Sequence, residues 1–534
     1  MMKTIPRHAF LLLLLPVFLG SGASAAVTAT PLPDPVKQVR IEFRDKAEWE
    51  RFRRLGGSDF LELQPGVCAR LALDDRQIQK LRSHGFGLDV EIEDLQAYYA
   101  SRMSGQGGNF GLFHTYSETE GFLDSLHVAC PQITTPKQSI GLTHEGRDIW
   151  AMKISDNPGI DEDEPEVLFD ALHHAVEVPS VEVVLCYMRW LCEGYGRDPH
   201  ATYLVDHREI WFVPIVNPDG LVYLETVSPE GGAWWRKNRR DNGDGTWGVD
   251  LNRNYPYHWG GTGAPSDPSS DYYRGPWAGS EPEVQAMMSL MIGRDFVSHI
   301  SFHSSARAIY LPWGYTAEPT GYHSTLLDWC RGMTKYNCYD YGQLPWRSSG
   351  TSKDWAIGEC QTKGVVLSCT HELAGLSWHE EDIAPVCTDA LWPQIYTTWV
   401  AGSYCPIEEA IVQGGDGNAR LDPGETAGLV LDIKNRGLFA PAPEVSVAIR
   451  SDDPYVCILD AEAQLGTIAA QWTQRTTDDP FLVRIDPFTP EDHVATLFAE
   501  LRFGDACVED TLQWVVGPAF VRFEDDMEDN FGVW

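Results

Sequence analysis

His174 and Glu177 form an H-x-x-E motif directly after the apolar run VLFDAL. On a turn at the end of a strand, an imidazole and a carboxylate three residues apart can reach the same ion. This pair of ligand types suits zinc, which needs one or two more ligands and an open position for catalysis. The neighbouring His173 is interpreted as a packed or surface histidine. Alone, the motif is a hypothesis that requires further ligands elsewhere in the chain.

Two further residues with suitable chemistry end other apolar runs, His303 in HISFHS and Glu372 in VVLSCTHEL. The segments WWRKNRR and VDLNRN supply four further candidates among their polar residues: Arg236, Asp250, Asn252 and Arg253. Strand ends that converge at one edge of an α/β sheet are where such folds place active sites. Each residue taken singly has a structural alternative; for example, Arg253 could pair with Asp250. As one constellation, the residues indicate catalysis.

The elements that must position these residues follow from the hydrophobic pattern of residues 113–401. The apolar runs EVLFDAL, EIWFVPIV, HISFHS and GVVLSCTHEL predict buried strands of a largely parallel sheet. Helical stretches such as VPSVEVVLCYMRWLCEGYG and PEVQAMMSLMIGR alternate with them. The prediction is an α/β domain with a mixed, largely parallel central sheet flanked by helices.

Two smaller regions flank this α/β domain. Residues 37–97 alternate between strand and helix patterns and predict a small α+β domain. After Cys405, short alternating segments such as AGLVLDIKN and ATLFAELRF predict an all-β sandwich. The predicted domains are a signal peptide, the α+β domain, the α/β domain, the β-sandwich and the start of a truncated module, at residues 1–25, 26–105, 106–402, 403–518 and 519–534.

The N-terminus has the three parts of a secretory signal peptide. Lys3 and Arg7 precede an apolar run over residues 9–19, and Ala23-Ser24-Ala25 fits a cleavage site. We therefore expect a secreted, extracellular protein, with the periplasm or the cell surface as alternatives. The apolar run is too short to span a bilayer comfortably, and no later segment has 18 consecutive apolar residues, so no membrane span is expected.

The 534 residues include 41 Lys+Arg and 77 Asp+Glu, which gives a formal net charge of −36. This balance argues against a nucleic-acid partner, because binding phosphates needs a basic surface. Residues 401–534 alone contribute −17, from 25 acids and 8 bases. Their segment GDGNARLDPGE holds four residues whose oxygens suit Ca²⁺: Asp416, Asn418, Asp422 and Glu425. An acidic turn that begins a β-domain is the alternative.

Twelve cysteines suit an exported protein, because oxidising compartments preserve disulfides. No C-x-x-C pair occurs, so a cysteine zinc cluster is not expected. Cys457 and Cys507 are the only cysteines in the last 129 residues and are suggested as a pair. The other pairings stay open at this stage.

The motifs of residues 112–400 resemble those of the zinc metallocarboxypeptidases of the carboxypeptidase A/B and T type. The matching segments follow in the family's order: FHTYSE, SIGLTHEGRDIWAMKIS, ALHHAVE, VPIVNPDG, RGPWAGSEPE, ISFHS and THEL. The resemblance implies an enzyme that hydrolyses the C-terminal peptide bond of peptides or proteins by a zinc-activated water. The acidic C-terminal region resembles Ig-like modules appended to secreted bacterial enzymes.

Carried over residue by residue, the resemblance implies that His174, Glu177 and His303 are the zinc ligands. Asp250 would not bind the metal itself but would orient the ligand His174. Glu372 would be the general base that deprotonates the attacking water and returns the proton to the leaving amine.

The same resemblance implies three substrate contacts. Arg236 would stabilise the tetrahedral oxyanion together with the metal. Asn252 and Arg253 would bind the terminal carboxylate, a task that suits the bidentate fork of arginine.

The sequence departs from the family pattern at positions that contact substrate. Val176 and Ser305 replace an Arg and a Tyr that many members carry, and Trp346 lies where a mobile Tyr is usual. Lys353 corresponds to a position that lines the pocket for the C-terminal side chain. A lysine there would attract a carboxylate and predicts a preference for C-terminal Glu or Asp; the alternative is a lysine that points to solvent.

Residues 26–105 resemble the family's activation propeptide in pattern and position. This implies that an activating protease cuts between about Ala100 and Phe113; a plain accessory domain is the alternative. Two other functions stay open: a peptidase for peptidoglycan stem peptides, and an inactive peptide-binding homologue.

Overall fold

The computed structural model describes residues 36–55, 59–64, 67–100, 110–374, 380–414, 417, 419–490 and 492–517. The predicted signal peptide, residues 101–109 of the predicted cleavage region and the predicted C-terminal module at 519–534 lie outside these residues. The described chain divides into two compact units between Ala401 and Gly402. The first unit contains the N-terminal domain and the α/β domain, and the second contains the β-rich domain.

The N-terminal domain is a four-stranded antiparallel sheet with helices, in the strand order β2-β3-β1-β4. Its elements are β1 (Lys37–Glu42), α1 (Lys46–Leu55), β2 (Asp59–Gln64), β3 (Cys68–Leu73), α2 (Asp75–Ser83), β4 (Asp89–Ile92) and α3 (Leu95–Ala100). A capping box between Asp74 and Gln77 starts α2. Alternating residues of β1 and β3 pack with aromatic residues of α1 to form one core. The predicted α+β domain is thus present, with α3 as an additional helix.

The α/β domain runs from α4 to α11. Its elements are α4 (Tyr116–Ala129), β5 (Gln138–Leu142), β6 (Asp148–Ile154), β7 (Glu166–Ala171), α5 (Pro179–Gly194), α6 (Pro199–Asp206), β8 (Glu209–Val213), α7 (Pro218–Val227), α8 (Pro282–Ile292), β9 (Phe296–Ser304), β10 (Ala308–Leu311), α9 (His323–Met333), β11 (Asp340–Gln343), α10 (Ser352–Gly358), β12 (Leu367–Leu373) and α11 (Ile383–Ala401). Two single 3₁₀ turns, Leu251–Arg253 and Glu380–Asp382, add to these.

The eight strands form one mixed sheet in the order β11-β10-β12-β9-β7-β8-β6-β5. The central strands β12, β9, β7 and β8 are parallel to their neighbours within that group. All six residues of β7 and all five of β8 are buried, as expected for strands covered on both faces by helices. The predicted mixed, largely parallel α/β sheet is confirmed.

The second unit consists of two antiparallel sheets, in the orders β13-β14-β19-β16 and β17-β15-β20-β21, with β18 paired to β14. Its strands are β13 (Ile407–Gly414), β14 (Thr426–Lys434), β15 (Ala442–Arg450), β16 (Val456–Asp460), β17 (Glu462–Ile468), β18 (Thr473–Arg475), β19 (Phe481–Ile485), β20 (Val494–Phe503) and β21 (Ala506–Val515). Buried residues alternate with exposed ones along β15, β19 and β20, which is the pattern of strands with one face in a core. The predicted all-β region is confirmed.

The structure does not form the suggested Cys457–Cys507 bond. Both thiols are free and exposed; Cys457 lies on β16 and Cys507 on β21, which belong to different sheets. Among the described residues, no helix is both long enough and apolar enough to cross a membrane.

Candidate active site and metal centre

The residues singled out from the sequence meet where β7, β9 and β12 end. His174 follows the last residue of β7 by three positions, and His303 and Glu372 lie on the neighbouring strands β9 and β12. In the parallel pairing of these strands, Glu372 lies directly opposite His303. Paired residues of parallel strands point to the same face of the sheet. The two side chains therefore share one face at the carboxyl ends of the strands.

Ligand atoms of His174, Glu177 and His303 converge on one point. His174 Nδ1 lies 2.9 Å from Glu177 Oε1 and 3.0 Å from His303 Nδ1. His303 Nδ1 lies 2.8 Å from Glu177 Oε2. All three residues are buried, whereas the other three groups of similar side chains among the described residues each include a member that is not.

This donor set fits zinc. Two imidazole nitrogens and a carboxylate are typical zinc ligands, and bonds near 2.0 Å in a tetrahedron place the ligand atoms about 3.3 Å apart. The observed separations of 2.8–3.0 Å are close to that value. A shared proton can bridge only two of these three ligand atoms at a time, whereas one metal ion can bind all three.

Asp250 fixes the orientation of His174. Its Oδ1 lies 3.0 Å from His174 Nε2, so this ring nitrogen donates to the carboxylate and Nδ1 faces the ligand cluster. Burial would raise the pKa of Asp250, but the guanidiniums of Arg236 and Arg253 and the ring of His174 outweigh it and hold the pKa well below the usual value. Asp250 is therefore an ionised acceptor.

His173 is a packed residue, as interpreted from the sequence. It is fully buried, and its Nε2 lies 2.9 Å from the hydroxyl of Tyr255. Its Nδ1 lies 3.3 Å from Ser301 Oγ.

Arg236 lies beside the ligand cluster. Its Nε donates to Asp250 Oδ2 at 3.0 Å, and its Nη1 lies 3.7 Å from Glu177 Oε1. The side chain is 7% exposed, so it is largely buried and reaches solvent over only a small part of its surface.

Asn252 and Arg253 follow Asp250 on the 3₁₀ turn. Asn252 Oδ1 accepts from the backbone N–H of Ser352 at 2.9 Å. Arg253 Nε donates to the carbonyl of Gly263 at 2.9 Å, and its Nη1 lies 3.8 Å from Asp250 Oδ2. The alternative pairing of Arg253 with Asp250 is therefore present as a long contact. The guanidinium also donates to the carbonyl of the neighbouring candidate Asn252 at 2.9 Å.

Comparisons with known proteins agree with this geometry. Residues 119–392 match the family described as Zinc carboxypeptidase. Carboxypeptidase A1 of Rattus norvegicus is 28% identical over 368 residues, which are 63% of this chain and 85% of that protein. A zinc carboxypeptidase of Saccharothrix mutabilis subsp. capreolus is 35% identical over 252 residues, which are 46% of this chain and 55% of that protein. The crystal structure of carboxypeptidase A from Helicoverpa armigera, at 21% identity, shares the fold with a TM-score of 0.57 over 68% of this chain and 97% of that chain.

The chain belongs to the zinc carboxypeptidase family. The family match covers more than half of the chain and contains every segment that carries the resemblance except FHTYSE, which ends at residue 118. The protein is therefore a zinc metallocarboxypeptidase, a hydrolase that acts on C-terminal peptide bonds.

In this carboxypeptidase, Lys353 is buried and lies beside the candidate carboxylate-binding residues. The side chain is 1% exposed, so it does not point to solvent. Its Nζ lies 3.5 Å from Asp354 Oδ1, and that carboxylate already accepts the backbone N–H groups of Gly314 and Tyr315. Burial lowers the pKa of Lys353, and the carboxylate of Asp354 offsets part of that shift.

Trp346 lies at the contact between the carboxypeptidase domain and the N-terminal domain. The indole is half-buried and packs against the core of the N-terminal domain. Its ring centroid is 5.8 Å from that of Tyr310. Gln77 of α2 makes a second, long contact at 3.4 Å with the carboxylate of Asp271, in the loop that follows the 3₁₀ turn.

The calcium prediction gains no support. Asp416 and Asn418 lie outside the described residues, and a carboxylate oxygen of Glu425 accepts the backbone N–H of Asp422 at 3.0 Å, as in an acidic turn. Among the described residues of the tail, no group of side chains brings metal-ligand atoms together.

Sequence reasoning missed Tyr272. Its ring lies against the guanidiniums of both Arg236 and Arg253. The segment SSDYYRG carries no recognisable motif for such a role, because stacking of a ring on two arginines depends on how a long loop returns to the site.

Proposed function

We propose that His174, Glu177 and His303 hold the catalytic zinc of this carboxypeptidase. The convergence of their three ligand atoms within 3.0 Å is the observation that carries the proposal. When bound, zinc would polarise the attacking water and the scissile carbonyl.

Glu372 is the general base in this proposal. Its carboxylate takes a proton from the attacking water and passes it to the nitrogen of the leaving amino acid. The support is its position opposite His303 in the pairing of β12 with β9, which brings it next to the ligand cluster.

Three polar residues complete the proposed reaction. Arg236 would donate to the oxyanion that develops on the scissile carbonyl, from its place beside Glu177. Asn252 and Arg253 would bind the terminal carboxylate of the substrate and so restrict cleavage to the last residue.

The test combines metal analysis with hydrolysis of blocked dipeptides that differ in their last residue. We expect one zinc per chain and release of the last amino acid. In Glu372→Gln we expect hydrolysis to fall by roughly 10²–10⁴-fold with zinc retained. Full hydrolysis by this variant would remove Glu372 from its role, and a wild-type protein that binds zinc but cleaves none of the dipeptides or muropeptides would be an inactive homologue.

An acidic C-terminal residue is the proposed preferred substrate. A buried ammonium needs a close counter-charge, and the contact of Lys353 with Asp354 at 3.5 Å is long for a charge-assisted hydrogen bond. The carboxylate of a substrate Glu or Asp could supply the missing partner. The backbone N–H of Ser352, next to Lys353, donates to Asn252 Oδ1, so the lysine lies close in the fold to the proposed carboxylate-binding residues.

This preference can be measured as kcat/KM for substrates ending in Glu, Phe or Lys. We expect Lys353→Asp to lower the ratio of Glu to Phe at least about tenfold and to favour Lys. An unchanged ratio would show that Lys353 does not line the pocket. Purified muropeptides belong in the same panel, because carboxylates in peptidoglycan stem peptides would suit the same cation; faster cleavage of these would favour the cell-wall function.

The N-terminal domain is proposed to be an inhibitory propeptide. The proposal rests on Trp346, which lies where the family has its mobile tyrosine and packs against the core of this domain. While that contact persists, the indole cannot close over a substrate. An activating protease would cut between about Ala100 and Phe113.

The zymogen proposal predicts that limited proteolysis raises activity without changing zinc content. A variant made resistant to cleavage throughout residues 100–113 should stay inactive. Full activity of that uncleaved variant would identify the N-terminal domain as an accessory domain instead.

Export and disulfide formation are proposed together. Secretion would remove residues 1–25 and expose the thiols to an oxidant such as a protein disulfide. All four thiols are free in the structure. Cys130 Sγ lies 3.8 Å from the carbonyl of Cys192, and Cys387 is the main cause that lowers the pKa of the Cys186 thiol, so these are the proposed pairs. N-terminal sequencing of the exported protein tests the cleavage site.

Alkylation of the exported protein tests the two disulfide pairs. If all four thiols react with the alkylating reagent in the absence of a reductant, the pairs are refuted.

A further inference from the structure

Tyr272 lies under two arginines at once. Its ring centroid is 4.9 Å from Arg236 Cζ and 5.4 Å from Arg253 Cζ. Both distances are within the range of a cation–π contact, in which the electron-rich face of the ring attracts the cation. One aromatic side chain therefore contacts both guanidiniums that the proposed function assigns to the oxyanion and to the terminal carboxylate.

The two guanidiniums also share one carboxylate. Asp250 Oδ2 lies 3.0 Å from Arg236 Nε and 3.8 Å from Arg253 Nη1. Two like charges on either side of one carboxylate repel each other. The ring face reduces that repulsion without adding a formal charge. A second carboxylate in its place would compete with the anionic end of the substrate for the same N–H donors.

The backbone holds Tyr272 in this position. The residue is 7% exposed, and its own N–H lies 3.2 Å from Ser270 Oγ. The carbonyl of the next residue, Tyr273, accepts the backbone N–H of Asp250 at 2.8 Å. The ring is thus tied to the same carboxylate residue that the two arginines contact.

We propose that Tyr272 is a positioning residue, which holds Arg236 and Arg253 at the spacing required by the scissile carbonyl and the terminal carboxylate of one substrate. The inference rests on the proposed function of the two arginines. The spacing of Arg236 and Arg253 then depends on the ring of Tyr272, which lies outside the motifs that carry the family resemblance.

The test replaces the ring and measures kcat and KM separately. Tyr272→Leu should lower kcat/KM by roughly 3- to 30-fold, the range that cation–π contacts of this kind produce. Both constants should change, because one arginine acts on the transition state and the other on the bound carboxylate. Tyr272→Phe keeps the ring and should stay within about twofold of the wild type; Tyr272→Met replaces the leucine variant if that variant does not fold.

Tyr273→Leu is the matched control, because it removes an equally buried ring that makes no cation–π contact among the described residues. It should lower the melting temperature and lower kcat/KM less than Tyr272→Leu does. Equal losses in Tyr272→Phe and Tyr272→Leu would overturn the role of the ring, and so would an unchanged kcat/KM in Tyr272→Leu.

Arg236→Ala and Arg253→Ala separate this inference from the proposed function. If neither variant loses activity, the proposed function itself fails. If both lose activity while Tyr272→Leu does not, only the role of Tyr272 fails. Combined with Arg253→Ala, the leucine substitution should raise KM less than it does alone, because contacting residues are not additive.

Discussion

The two ends of β7 carry groups of side chains that look alike in composition and differ in charge balance. At its carboxyl end lie His174, Glu177 and His303. At the amino ends of β7 and β8 lie Asp161, Glu166 and Glu209, whose carboxylate oxygens also come within 4.8 Å of one another. By distances alone, both groups could hold a metal ion.

The protein's own cations occupy the group at the amino end. Lys153 Nζ lies 2.9 Å from Glu209, and Arg294 contacts Glu166 at 2.9 Å and Asp161 at 3.0 Å. Lys153 is 3% exposed, so this is a largely buried ion-pair network. Each carboxylate there has a cationic partner, and the arrangement needs no further ion to satisfy it.

The group at the carboxyl end is built differently. Two imidazole nitrogens face each other at 3.0 Å, and the nearby Arg236 is directed mainly at Asp250 rather than at Glu177. Two converging imidazole nitrogens and a carboxylate whose contact with Arg236 is 3.7 Å indicate a metal site, whereas converging carboxylates with cations at 3.0 Å or less indicate structural ion pairs. Ligand spacing alone does not separate the two cases.

The largest effect expected from this comparison is on zinc. His303→Ala removes one of three ligands and should abolish zinc retention and lower kcat/KM by at least about a thousandfold. Asp161→Asn, at the other end of the strands, should leave both unchanged. Zinc content by elemental analysis and dipeptide hydrolysis measure the pair of variants. Retained zinc in His303→Ala would place the metal elsewhere.

The next effect concerns two buried lysines with different partners. Lys153→Met removes one of the two cations that contact the buried carboxylate of Glu209, the other being Arg294, and should lower the free energy of unfolding by about 1.5–3 kcal/mol. Lys353→Met removes a lysine whose contact with Asp354 is long, and Asp354 keeps its two backbone donors, so the loss should be below about 1 kcal/mol. Urea unfolding of the two variants checks the contrast, and equal losses would contradict it.

A smaller effect should follow from Asp250→Asn. The amide cannot balance the proton on His174 Nε2 as the carboxylate does, so zinc affinity should fall by about 10–100-fold. Competition with a chelator measures this affinity. An unchanged affinity would mean that the ring of His174 is fixed by packing alone.

The sequence predicts the elements around the site well because their patterns are local. The largely apolar runs become β7, β8 and β9, and KAEWERFRRL becomes α1 from its first residue to its last. The ligand motif H-x-x-E is local as well, since both ligands lie on one turn. Such features depend on periodicity and short spacing, which a single sequence contains.

What the sequence does not predict depends on distant segments. Tyr272 reaches the arginines only through the fold of a long loop, and the packing of Trp346 against the N-terminal domain joins segments over 250 residues apart. Lys153 and Arg294 are ordinary cations in the sequence, and only the sheet brings them to Glu209. The burial of Lys353 likewise follows from tertiary packing.

The smallest effect sharpens the contrast between the two lysines through pH. Burial lowers the pKa of Lys353 below its usual 10.5, partly offset by Asp354. The ammonium is therefore present at low pH and is lost as pH rises through this lowered pKa. The preference for a C-terminal Glu over Phe should be constant on the acid side and decline on the alkaline side before an ordinary lysine would titrate. Lys353→Arg keeps its charge throughout and should keep a flat ratio.

The lowered pKa of Lys353 also affects stability: as pH rises, the free energy of unfolding should increase while the preference for Glu declines. Between the lowered pKa and 10.5 the unfolded chain binds a proton at Lys353 that the folded chain does not, so the free energy of unfolding should rise with pH in that window. Lys353→Met should remove this rise, which urea titrations across the window can measure. If the ratio of Glu to Phe declines while this stability increment is absent, the decline belongs to another group of the cleft, and Lys353 is not the cation that selects the substrate.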